Sequence, residues 1–163
     1  MLTIADFAKM MRSHLTQDSW KGKSQFMDTF ILFMAHSGWR YIAFLVLGIA
    51  ILKYLVGWLQ RGKWSKLDRQ IGLVTVIGVD IQVVLGIVLW ALRVMEIPGR
   101  MNAITAYIEH PVTMLIAIAI MHVGWVRVRK TAGDTDKFRM ATLTFIVTSL
   151  LVALGVARIT GWM

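Results

Sequence analysis

The sequence predicts an all-α integral membrane protein, an up-down four-helix bundle preceded by an amphipathic N-terminal interfacial arm. Three observations carry this. The composition is 57% hydrophobic and 17% charged, against about 45–50% and about 25% in soluble domains, and the mean hydropathy is +0.64. Four apolar stretches cover residues 30–59, 71–92, 103–126 and 140–160. Each reaches the roughly 20 residues that a helix rising 1.5 Å per residue needs to cross about 30 Å of hydrocarbon. The segments Gln60 to Lys66 and Lys130 to Lys137 are short and polar, which makes the helices they join antiparallel neighbours. A spanning β-barrel would instead show alternating segments of about ten residues.

In residues 1–29, Leu2, Phe7, Met10, Met11 and Leu15 recur at helical spacing, with Lys9, Arg12 and Gln17 between them. This is the pattern of a helix lying in the membrane interface or docked on a partner. It lacks the compact apolar core of a signal peptide, so the arm is expected to be retained. Residues 30–163 form the transmembrane domain. Its first span carries His36, Arg40 and Lys53, and Lys53 lies close enough to the span's end to snorkel. The second span carries Asp80 and Gln82, and the third Glu109, His110 and His122. Pro111 falls in the first turn of the third helix, where its missing N–H costs little, so Glu109-His110-Pro111 reads as an entry motif. The fourth span has Arg158 near its end.

Several chemistries are excluded. The chain has no cysteine, hence no disulfide, no c-type haem attachment, no cysteine-ligated iron–sulfur cluster and no thiol nucleophile. Ser37, Ser65 and Ser149 lack the partners of a nucleophilic triad, and no independent enzymatic activity is expected. A net charge of +9 would raise nucleic acid as a partner in a soluble protein. Here the basic residues mostly flank apolar runs, which points to phospholipid headgroups and topology and away from nucleic acid. Arg61, Lys63, Lys66, Arg69, Arg127, Arg129, Lys130, Lys137 and Arg139 lie in or beside the two short loops; Arg93, Arg100 and Arg158 lie on the other side, with four more basic residues in the arm. The excess places the basic loops in the cytoplasm and both termini outside, across a bacterial inner membrane.

His36 lies 22 residues before Trp58, and His110 lies 17 before Arg127, or about 33 and 26 Å along their helices. Both imidazoles therefore fall toward the outer side at comparable depth. Facing helices of a bundle can hold one b-type haem between two histidines, with Arg40 and Glu109 as surrounding partners or propionate contacts. The plainer alternative is a pair of interfacial histidines that are merely hydrogen-bonded. His122 follows His110 by 12 residues, a rotation of about 120°, and three histidines in the spans cannot ligate two haems. Asp80 and Gln82 are candidates for a proton or quinone contact; alternatively Asp80 is a structural residue bonded to a neighbouring helix.

His36-Ser37-Gly38-Trp39-Arg40 resembles the His-Ser-Gly-x-Arg opening of small bacterial four-helix membrane proteins often labelled cytochrome-b-like. Lys66-Leu67-Asp68-Arg69, Asp80-Ile81-Gln82 and Glu109-His110-Pro111 look like the same pattern, over roughly residues 30–160. The resemblance implies His36 and His110 as haem ligands, with Arg40 and Glu109 at adjacent motif positions. His122 has no counterpart, and the arm is a departure. The expectation is a subunit of a larger quinol-oxidising respiratory or photosynthetic electron-transfer complex, in contact with quinone and phospholipid. Two alternatives stand beside it. One is a haem-free structural or assembly subunit; the other is a small proton-coupled transporter using Asp80 and His122, for which the polar stripe is thin.

Overall fold

The computed structural model describes the backbone of residues 4–96 and 108–160 and the side chains of residues 27–92 and 108–158. The architecture is all-helical: α1 (Ile4–Leu59), α2 (Lys66–Glu96), α3 (His110–Lys130) and α4 (Asp134–Thr160). α1 packs mainly on α2 and α4, and so does α3. The helices thus form a ring in which α1 and α3 stand diagonally opposite. Segments Met27–Leu59, Lys66–Leu92, His110–Lys130 and Asp134–Arg158 are each long and apolar enough to cross a membrane. Leu45, Leu52, Val74, Val84 and Leu150 are more than half exposed on the outside of the bundle. Water would not tolerate so continuous an apolar exterior, whereas hydrocarbon solvates it. The chain is a multi-pass membrane protein.

The helices overrun the apolar stretches that signalled them, because their end turns are polar. α2 begins five residues before the apolar run, and α4 begins at Asp134 with Asp134 and Asp136 in its first turn. Acidic residues there complement the helix dipole. α3 starts at His110 with Pro111 in its first turn; the expected start at residue 103 lies outside the described residues. α1 crosses residues 29 and 30 without a break, and the side chains that would make the arm amphipathic lie outside the described residues.

The loop end of the bundle is densely packed. Leu47, Tyr54, Met121, Phe138 and Phe145 are essentially inaccessible. The Tyr54 ring lies 5.4 Å from Trp64 and 5.7 Å from Phe145, and Trp64 lies 4.8 Å from Phe138, all favourable centroid separations for aromatic pairs. Trp125 is buried in this core and Trp64 packs against it, so both rings face inward. Gly57 is glycine because a Cβ there would overlap the Phe138 ring.

Two local devices set the α1–α2 register. At the end of α1, Gly62 N donates to Gly57 O (2.9 Å) and Arg61 N to Trp58 O (3.2 Å). This is a Schellman closure with Arg61 in the left-handed region at φ 51°. α2 then opens on a capping box. Ser65 Oγ accepts from Asp68 N (3.3 Å), while Asp68 Oδ2 accepts from Ser65 N (2.8 Å) and Ser65 Oγ (2.6 Å). Tyr54 Oη donates to the Asp68 carbonyl (2.7 Å), and Lys53 Nζ lies 2.8 Å from Asp68 Oδ1. Lys53 does more than snorkel: it neutralises a buried carboxylate.

Candidate functional site

Away from the loops the bundle opens into a cavity of about 230 Å³, where His36 and Arg40 of α1, Gln82 and Gly86 of α2, and His110 of α3 meet apolar side chains from all four helices. α1 and α3 run in the same direction, so residues near their membrane entry reach the same level from opposite corners.

His110 is oriented by the backbone of α4. Its Nδ1 lies 3.0 Å from the Gly155 carbonyl oxygen. A carbonyl can only accept, so Nδ1 carries the proton and the neutral ring keeps its free lone pair on Nε2. A Cβ at Gly155 would make only ordinary contact with Nδ1, at 3.5 Å, and would overlap the Met114 methyl. Glu109 precedes the helix in an α-helical conformation without capping α3 through its side chain.

His36 is held by α2. The Gln82 amide nitrogen donates to the His36 carbonyl (3.1 Å) and lies 3.2 Å from Nδ1 and 3.4 Å from Nε2. Its near-equal distance to both ring nitrogens leaves the His36 tautomer unselected, in contrast to His110. One turn further along α2, Gly86 has its would-be Cβ only 2.8 Å from His36 Cε1. Gln82 Oε1 is buried without a hydrogen-bond partner, an acceptor left over at the cavity wall. Trp39 Nε1 donates to the Gly78 carbonyl (2.8 Å) and fixes α1 on α2 beside the site.

The structure thus brings together four of the six residues singled out from the sequence: His36, Arg40, Gln82 and His110. Among the described residues Arg40 has no ion pair, and its guanidinium lies 5.4 Å from the Tyr41 ring. An unpaired cation beside an apolar cavity at membrane depth is costly and calls for an anion. The other two residues go elsewhere. Glu109 accepts from Arg158 Nη1 at 2.6 Å, tying α3 to α4. Asp80 lies 2.9 Å from His122 Nε2 across α2 and α3, on a partly exposed outer surface. Asp80 and Gln82 are two residues apart, about 200° around a helix, so they cannot serve one site. Asp80 has the interhelical partner that the structural reading asks for.

Sequence reasoning missed Gly86, Gly155 and the Ser65–Asp68 box. An isolated glycine inside a helical pattern is itself a signal of close packing, and Ser-x-x-Asp before an apolar run is a capping signature. The chain matches no protein-family model, no curated protein and no solved structure.

Proposed function

We propose that the chain is a small integral membrane subunit of a bacterial respiratory or photosynthetic electron-transfer complex, carrying one b-type haem between His36 and His110. The observation that supports this is the placement of two imidazoles, on diagonal helices, against one mostly apolar cavity, with His110 Nε2 left free to ligate. The donor set fits. Among the described residues no cluster of three His, Cys, Asp or Glu could hold a bare ion, whereas a haem brings its own four nitrogens and would need only His36 and His110 from the protein. When bound, the haem supplies one-electron transfer.

The chain's own residues do the rest. The Gly155 carbonyl holds the His110 ring from behind by accepting its Nδ1 proton, the kind of outer support that fixes ligand orientation and basicity, while the Gln82 amide braces α1 through the His36 carbonyl. Arg40 offers countercharge to a propionate. The apolar lining keeps water from the site. The cytochrome-b-like pattern rests on these same residues, and within the parent complex quinone and phospholipid would be neighbours. The same reading places the chain in the inner membrane with the basic loops cytoplasmic and both termini outside. Because the sequence has no cysteine, Lys63→Cys and Ala132→Cys, each labelled from one side of sealed vesicles, test that orientation directly.

The decisive experiment is a pyridine haemochrome assay with a reduced-minus-oxidised spectrum on the chain purified alone and on whatever co-purifies in mild detergent. The expected result is one b-type haem per chain, lost in His36→Ala and in His110→Ala while helical circular dichroism persists. A folded wild-type chain that refuses haem on reconstitution overturns the proposal in favour of a haem-free structural subunit. Unchanged haem in His110→Ala overturns the ligand assignment.

A further inference from the structure

At the opposite end of the bundle, Arg69 of α2, Arg129 of α3 and Lys137 of α4 converge on a second pocket of about 320 Å³, with Trp64, Trp125 and Val128 in its walls. Among the described residues none of these three side chains has a hydrogen bond or ion pair, although Lys53 and Arg139 at the same end pair with Asp68 (2.8 Å) and Asp136 (3.5 Å). Arg69 and Lys137 sit in the first turns of α2 and α4 beside Asp68, Asp134 and Asp136, and the helix dipole there does not favour a cation. The α3 C-terminus accounts for Arg129 alone. Three cations without an ion pair, Arg69 and Arg129 exposed and Lys137 half-buried, thus line one recess where an anion would meet all of them.

We infer that this pocket binds the phosphate of an anionic phospholipid headgroup. The pocket lies at the loop ends of three membrane-spanning segments, α2, α3 and α4, the level at which headgroup phosphates border a spanning helix. Two of the helices that frame it carry exposed Leu73 and Val126 toward the hydrocarbon, surfaces along which acyl chains can lie. Basic recesses between transmembrane helices recognise lipid headgroups in this way. The inference is independent of the haem site.

The test uses the full chain in mild detergent, titrated with phosphatidylglycerol or phosphatidylcholine and read by native mass spectrometry and thermal unfolding. Phosphatidylglycerol should be retained and should raise the unfolding temperature, and phosphatidylcholine should do neither. Arg69→Gln, Arg129→Gln and Lys137→Gln should each weaken phosphatidylglycerol binding about fivefold. A control triple variant, Lys63→Gln/Lys66→Gln/Lys130→Gln, removes as much charge from the same end and should bind within about twofold of wild type, since none of the three lines the pocket. Equal binding of the two lipids overturns the inference, and so does a control triple variant as impaired as one lacking the pocket cations. Displacement of the lipid by equimolar inorganic phosphate also overturns it, by assigning the pocket to a soluble anion. The wild-type comparison tests the lipid preference, and the control triple variant assigns it to the pocket.

Discussion

Two glycine-to-alanine substitutions separate the open end of this bundle from its packed end. At Gly86 a Cβ would lie 2.8 Å from His36 Cε1 and 3.3 Å from Nδ1, where ordinary contact begins at 3.4 Å. The ring must therefore retreat about 0.6 Å, and it borders a cavity of about 230 Å³ into which it can move. At Gly57 a Cβ would meet three Phe138 ring atoms more closely still. That ring is 1% exposed, with the Tyr54 ring 6.2 Å and the Trp64 ring 4.8 Å away. Alanine gains about 1 kcal/mol over glycine in a helix interior, the same at both sites. Overpacking in a rigid core costs about 1–3 kcal/mol or more, so it outweighs the propensity gain at Gly57 and is largely relieved at Gly86. Thermal unfolding in detergent should find Gly86→Ala within about 2 °C of wild type and Gly57→Ala lower by about 4–8 °C. Equal losses at the two sites would refute the reasoning, because the His36 ring would then be as tightly wedged as Phe138. If the haem reading holds, a ring shift of this size exceeds the roughly 0.5 Å tolerance of a preorganised site. Gly86→Ala should then keep the fold and lose haem on dilution faster than wild type.

Three further outcomes follow from the geometry. Asp68→Asn leaves one oxygen where two are needed, so either Lys53 or Ser65 loses its acceptor. With hydrogen bonds to a charged group worth about 1.5–3 kcal/mol, the unfolding temperature should fall by about 5–10 °C; Lys53→Met should cost at least as much, because it leaves the 1% exposed Asp68 carboxylate without its countercharge. Arg61→Gly relieves a left-handed non-glycine residue and should raise the unfolding temperature by about 2–4 °C. For Asp80 and His122, a double-mutant cycle with leucine at each position should show a coupling near 0.6 kcal/mol and no more than about 1.7 kcal/mol. In that cycle the single His122→Leu variant should be less stable than the double variant, because it strands an acid in hydrocarbon. A coupling of zero would mean that the 2.9 Å contact carries no energy.

The fold was legible because hydrocarbon imposes it. A run of about 20 apolar residues has little choice but to span as a helix, and the two short loops fix the antiparallel pairing. The shared depth of His36 and His110 was legible for the same reason, since depth is a count of residues times the helical rise. What the count could not supply was rotation about each helix and the identity of cross-bundle partners. Glu109 adjoins His110 and Arg40 lies one helical turn from His36, yet only Arg40 lines the cavity, because Glu109 finds Arg158 49 residues away. Asp80 and Gln82 separate for the same reason: partners 42 and 46 residues distant decide which way each points. Lys53 looked like a solitary cation because its carboxylate, Asp68, lies across the α1–α2 turn.

Each short-looped hairpin contributes one histidine together with its own support. In the first, His36 of α1 meets Gln82 and Gly86 of α2; in the second, His110 of α3 meets Gly155 of α4. The imidazole and its backing therefore belong to the same hairpin, and the register between them is set by the loop at the far end of that hairpin. This gives the Schellman closure, the capping box and the Lys53–Asp68 pair a role at a distance. They hold α2 against α1 so that Gln82 and Gly86 arrive at the level of His36. A residue inserted in the α3–α4 loop would turn α4 by about 100° relative to α3 and carry the Gly155 carbonyl away from His110 Nδ1. The register within the first hairpin would be kept, although α1 would lose its packing on α4. The two halves of the site can thus be disabled separately, and comparing a loop insertion in each hairpin shows which histidine depends more on its backing. The insertion in the first hairpin should be the more damaging to the fold, because the densely bonded Ser65–Asp68 turn lies there, while both should detach one imidazole from its support.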